Sequence, residues 1–103
     1  MVGVVMCDVA LMNATLIGAE LQGGDLSRAL LIGADLSGAN LFKSDFNNVD
    51  VYGASFVKAN LCDANFDVRR VSDAELAGAL YNSRTIWPKD FSPDNFGLVK
   101  VSD

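Results

Sequence analysis

The sequence contains no histidine. The commonest general base and the commonest metal ligand are therefore missing, which argues against acid–base and zinc chemistry. Its two cysteines, Cys7 and Cys62, are too few for a disulfide framework or a clustered metal site. No apolar run approaches the roughly 18 residues of a spanning helix. The opening MVGVVMCDV lacks the basic n-region and long apolar core of a signal peptide. A cytoplasmic location with no membrane partner is expected. Basic residues are scarce, 8 against 13 acids, and the net charge of -5 disfavours direct binding to nucleic acid or anionic lipid. What is plentiful is apolar: half of the 103 residues, with a fifth charged, a balance that fits one folded domain rather than a disordered chain.

The apolar residues are not scattered. Every fifth residue from Met6 to Tyr81 is apolar, among them Leu11, Leu16, Leu21, Leu26, Leu31, Leu36, Leu41, Phe46, Val51, Phe56, Leu61, Phe66, Val71 and Leu76. Two places before most of them stands a small residue: Ala14, Ala19, Gly24, Ala29, Ala34, Ala39, Ser44, Ala54, Ala59, Ala64, Ala74 and Ala79, with valine at 4, 9 and 49. Arg69 alone is out of type. A step of five winds an apolar stripe around an α-helix and alternates it between the faces of a strand, so neither element gathers these residues. A chain that turns a corner every five residues does. Each segment then sends its large residue and the small residue two before it inward, with the polar residue between them pointing out. Four segments close a square coil of twenty residues, and successive coils stack like parallel strands. Glycines 18, 33, 38, 53 and 78 share one corner position, where unusual backbone angles are expected.

The stretches LIGADLSGANL and FVKANLCDANF resemble the A(D/N)LxX signature of the pentapeptide-repeat family. The resemblance covers about residues 4 to 83, sixteen units in phase without insertion. It implies an all-β fold: a right-handed quadrilateral parallel β-helix, a solenoid of about four coils over residues 1–83, closed by a C-terminal capping segment over 84–103. The ending YNSRTIWPKDFSPDNFG resembles the closing segment of many bacterial members, notably cyanobacterial ones.

Solenoids need their ends covered. Ile86, Trp87, Phe91 and Phe96 read as a lid over the last apolar layer. SPDNFG reads as one helical turn, with Ser92 as N-cap, Pro93 first and Gly97 at the stop. The other end has no matching lid, and Val2, Val4 and Val5 are candidates for stacking on another chain; the alternative is that this end frays. Arg69 reads as a substitution in register in the last coil. Its side chain is then expected to lean toward the lid, as a further cap anchor meeting tail carbonyls, Asp90 or Asp94; the alternative is a local bulge that turns it outward.

Residues twenty apart share a column, which maps the outside. The second face of the coils carries Ala10, Leu30, Asp50 and Arg70 beside Met12, Ile32, Tyr52 and Ser72. Met12, Leu30, Ile32 and Tyr52 form an apolar patch, a candidate contact for a protein partner or homodimer. Asp8 with Arg28, Asp50 with Arg70 and Lys43 with Asp63 fall in shared columns as surface ion pairs. A convex rod offers flat sides and no cleft, so the expected function is a non-catalytic interaction or scaffold module with no cofactor or metal. The alternative weighed is the DNA-mimicking modulation of gyrase that the family resemblance brings with it. An enzyme is disfavoured: Cys7 and Cys62 lie in different coils at outward positions, and Asp25 beside Asp45 has nothing to enclose a substrate.

Overall fold

Five residues suffice to see why the chain turns. In the computed structural model, which describes residues 3–102, the unit Ala34 to Gly38 is representative. Ala34 and Leu36 are buried and Asp35 bridges to the coils on either side, pairing with Thr15 and Ser55. Ser37 and Gly38 then form a turn closed by the Ala39 N–H donating to the Leu36 carbonyl at 3.0 Å. Gly38 has φ 69°, the left-handed value that the third position of a type II turn requires. Asp35 also shapes the turn: its Oδ1 accepts the Ser37 N–H at 3.0 Å. Asp25, Asn40, Asp45, Asp50, Asn60 and Asn65 do the same two residues on. The polar position between the two inward residues is therefore a turn-former, not merely a solvated one.

These units stack as expected. Parallel bridges join residues twenty apart from Val5–Asp25 through Asn60–Leu80, with one exception at Asp50. Regular strands are nearly absent. Among the described residues only β1 (Leu80–Tyr81) and β2 (Val99–Lys100) are longer than a single bridge. The reason is geometric: with a corner every five residues, each segment has room for one bridging residue flanked by two inward ones. The core is a column of large residues alternating with small ones, buried from Leu21 through Val71 and again at Leu76, Ala79 and Tyr81. Each buried Leu or Phe contributes about 1.5–3 kcal/mol. Phe46, Phe56 and Phe66 fill the centre with ring centroids 5.0 to 5.9 Å apart. Where serine takes the small position, Ser44 Oγ donates to the Leu41 carbonyl at 2.6 Å and leaves no unpaired group inside.

The reading of Arg69 as a substitution in register is corrected. The bridges step from Asn65 to Arg69 and then to Glu75, intervals of four and six instead of five. The first turn is shortened, with the Val68 N–H donating to the Phe66 carbonyl at 2.9 Å. Val68, only 5% exposed, thereby takes the inward small position, and Arg69 moves to the outward bridge opposite Asp50. The residue lost is regained at once. Arg70 is left-handed at φ 59°, and a 3-10 turn over Val71–Asp73 lengthens the next corner, so Ala74 and Glu75 resume the phase. An arginine inside the narrow apolar core would lose its hydration without a partner, a far larger penalty than a shifted turn.

A second length change follows. Asn65 pairs with Ile86, one residue beyond the twenty-residue register. Asn82 holds the enlarged corner. Its Oδ1 accepts N–H bonds from Asp63 (3.0 Å) and Arg84 (3.2 Å), and its Nδ2 donates to Asp63 Oδ1 at 2.6 Å. Thr85 enters the small inward position with its hydroxyl donating to the Leu61 carbonyl at 2.9 Å. Ile86 therefore stands on an outward bridge, 54% exposed, and is not part of the lid. Trp87 continues the inner column, 5.5 Å from Phe66 and 5.7 Å from Tyr81 by ring centroids. Phe91 packs on Trp87 at 5.0 Å and Phe96 stacks on Phe91 at 4.8 Å. The SPDNFG stretch is a 3-10 turn over Pro93–Phe96, ended by Gly97 at φ 77°. Ser92 precedes it without a side-chain capping bond. The tail then returns, laying β2 parallel on β1.

The turn geometry predicts that Gly38→Ala destabilises by about 1 kcal/mol through left-handed strain alone, because nothing lies within 4 Å of the added Cβ. Urea unfolding measures this.

Candidate interaction surfaces

Turn geometry decides which side chains reach the outside. The second face is built from the bridge column Ala10, Leu30, Asp50 and Arg69 and from the turn column Met12, Ile32 and Tyr52. Asn13 N–H donates to the Ile32 carbonyl at 3.0 Å, and Gly33 N–H donates to the Tyr52 carbonyl at 2.9 Å, which holds the second column in register. Met12, Leu30 and Tyr52 are exposed and Ile32 is half-buried, so the four lie on one face of three neighbouring coils.

Beside them sits the most tightly organised polar group. Asp50 occupies a bridge position yet is only 3% exposed. Arg70 covers it, with Nε donating to Oδ1 at 3.0 Å and Nη2 paired with Oδ2. The same guanidinium lies over the Tyr52 ring, 4.7 Å from its centroid. The Arg70 bonds hold the Asp50 carboxyl below its usual pKa despite partial desolvation, and the Tyr52 N–H assists. Asp25 and Asp35 are likewise lowered, chiefly by the hydroxyls of Ser27 and Ser37. Arg28 pairs with Asp8 at 2.9 Å. Lys43 does not meet Asp63; Asp63 faces Arg84 at 3.5 Å, and the Lys43 ammonium lies over the Phe42 ring. The enlarged corner at Asn82 brings Arg84 within reach.

The other expected site residues fall as follows. Val4 is half-buried and packed against the core, Val5 is 72% exposed, and Val2 lies outside the described residues. Trp87, Phe91 and Phe96 are partly buried against the core. Arg69 is exposed, opposite to the expectation that it anchors the cap, and Asp94 instead accepts the Tyr81 hydroxyl at 2.8 Å. Cys62 stands at an outward turn position outside the core cluster but is covered and buried there, and Cys7 is half-buried. Sequence reading missed Asn82 and Thr85. A departure from the five-residue spacing at NSRT was the available signal. Among the described residues no pocket opens and no three potential metal ligands cluster. No described helix is long and apolar enough to cross a membrane.

A family model described as pentapeptide repeats matches in eight copies, over residues 11–48 and 44–67. No curated protein matches the chain. Solved structures do. A pentapeptide repeat protein from the thylakoid lumen of Arabidopsis thaliana is 25% identical with a TM-score of 0.77, over 98% of this chain and 65% of that one. This chain thus spans just under two thirds of that structure. A pentapeptide repeat protein from Nostoc PCC 7120 is 29% identical with a TM-score of 0.50, over 94% of this chain and 84% of that one. HetL of Nostoc sp. strain PCC 7120, a pentapeptide repeat protein involved in heterocyst differentiation regulation, is 26% identical with a TM-score of 0.53, over 91% of this chain and 38% of its own.

Asp50→Ala is expected to destabilise by about 1–3 kcal/mol, since a charge-assisted pair and a turn cap are lost together. The sign with pH follows from the lowered pKa. The ionised Asp50 contributes fully above its unfolded value near 3.8, and the contribution disappears as pH falls through the lower folded value. Acid unfolding of the variant should lack that increment. Arg69→Ala, in contrast, should change thermal unfolding little, because its side chain is exposed and outside the core.

Proposed function

Because the chain belongs to the pentapeptide-repeat family, we propose that it works through its sides, as a non-catalytic docking or scaffold module on a right-handed, quadrilateral β-helix. The observation that carries this reading is the apolar patch of Met12, Leu30, Ile32 and Tyr52. Met12, Ile32 and Tyr52 are apolar in three successive coils of one turn column, and Leu30 stands beside them at a bridge position that most other units fill with a polar residue, on a backbone held by the inter-coil ladder. Apolar side chains on a rigid flat face lose little conformational freedom on binding, which favours association. Arg70 is fixed over Tyr52 at one margin and Arg28 is held by Asp8 at the other. A protein surface with an apolar centre fits this frame.

Nothing supports the gyrase alternative. A DNA mimic needs a concentrated acidic track. Here Asp8, Asp50 and Asp63 each face an arginine, and Asp35 and Glu20 lie on other faces. A cytoplasmic location stays a proposal, since a protein of the thylakoid lumen shares the fold.

Ile32→Asp should keep the circular dichroism spectrum and lose the partner, with affinity weakened by roughly tenfold or more if Ile32 is a central contact. Cross-linking from position 52 in the native cell, compared between the two proteins, is the test. Equal capture by both would exclude this face.

A further inference from the structure

The second face differs in charge from the chain as a whole. The chain carries 13 acids against 8 bases. On this face and its two corners the signs balance, with Asp8, Asp50 and Asp73 among Arg28, Arg69 and Arg70. The charges are also ordered across the face. Asp8, Arg28 and Arg70 are left-handed residues of the leading corner. Asn13, Gly33 and Gly53 hold the trailing corner, and Asp73 stands above them, its carbonyl accepting the Gly53 N–H at 3.0 Å. Between the corners run the bridge column with Leu30 and the turn column with Met12, Ile32 and Tyr52. Leu30 and Ile32 belong to one coil and flank the midline of the face.

We infer that a second copy of the chain occupies this face, the two rods lying parallel about a twofold axis along their length. This rests on the docking reading of the second face and names its occupant. With a net charge of -5 two copies repel, so they meet where the local charge is nil and the surface apolar. A contact between identical faces also requires a surface that complements itself. The axis exchanges the bridge column with the turn column, and one corner with the other, at equal height. Leu30 then packs on the partner's Ile32, and Met12 on the partner's Ala10. Asp73 faces the partner's Arg70, and no like charges oppose. Arg70 already closes over Asp50, so the partner's Tyr52 meets a guanidinium and not a carboxylate.

Other twofold axes match the face less well. An axis perpendicular to the rods, through the coil of Ile32, also covers the patch but sets Arg28 against the partner's Arg28. Moved up between the coils of Ile32 and Tyr52, it drops Leu30 onto Asp50 and Met12 onto Ser72, so the apolar residues no longer meet. The parallel arrangement alone keeps apolar on apolar and opposite charges together, which is what fixes register at an interface. The molecule has principal extents of 29 × 25 × 23 Å, so any one face is smaller than the roughly 800 Å² per partner of a standard interface. The dimer is therefore weak and is sought at roughly 0.1–1 mM.

Sedimentation equilibrium of the unmodified chain should show a monomer–dimer equilibrium, and Ile32→Asp should abolish it. Position 13 reports the arrangement. Asp8 and Asn13 stand at opposite corners of one face, and the axis brings each against the other residue of the partner. Asn13→Lys adds two opposite-charge pairs and should tighten the dimer at least about threefold at low salt, whereas Asn13→Asp opposes like charges and should weaken it by a similar factor. In an Asp8→Asn background Asn13→Lys should give no gain and Asn13→Asp no loss. Lys43 and Asp63 hold the same left-handed angle at equivalent corners, so both variants keep the fold, which circular dichroism verifies. A dimer indifferent to these charges, or one that responds to them equally without Asp8, would overturn the parallel pairing. A chain monomeric to 1 mM would overturn the second copy altogether. Cross-linking from position 52 then separates the two readings: capture of another protein leaves the docking face standing, and capture of nothing removes both.

Discussion

The whole structure depends on one steric condition: the chain must turn every five residues around a core wide enough for one large and one small side chain per segment. Two devices meet it, the second at those corners where Asp, Asn or Ser holds the bridge position. A residue in the left-handed region reverses the chain, and an Asp, Asn or Ser before the turn accepts a backbone N–H two residues on. Glycine supplies the left-handed angle without strain, as at Gly38, but Asp8, Asn13, Arg28, Lys43, Asn48, Lys58 and Asp63 adopt it as well. Those corners carry a local strain of about 1–2 kcal/mol each, offset by the bridges and the core packing on either side.

The ladder makes this condition collective. A coil cannot gain or lose a residue without displacing every bridge above it. The four-residue and six-residue units around Arg69 illustrate the consequence: the shortened turn is repaired within one corner, and Ala74, Glu75 and Leu76 return to register. The extra residue at Asn82 is not repaired. It lies where the coil gives way to the tail, and the Asn82–Asp63–Thr85 network absorbs it. Irregularity is tolerated where no further coil has to match.

The same ladder explains why the sides are suited to docking. Backbone groups are consumed between coils, so what remains on each face is side chains on a stiff frame. The buried carboxylate of Asp50 is held by a partner one coil away, and the apolar residues beside it are presented without competing backbone polarity.

The five-residue period, the inward identity of its large and small residues and the twenty-residue pairing were all determined by the sequence, because each is a local consequence of a short repeat. The placement of Arg69, Ile86, Asp50 and Cys62 was decided by tertiary structure. Val68 or Arg69 fits the local pattern of the turn equally, and only the desolvation of an arginine among Val49, Phe66 and Val71 separates them. Ile86 is apolar and follows the last repeat, yet the length of the Asn82 corner turns it out. Asp50 reads as a surface acid until Arg70, one coil away, closes over it. In each case the deciding neighbour is about twenty residues distant, beyond the reach of any five-residue pattern.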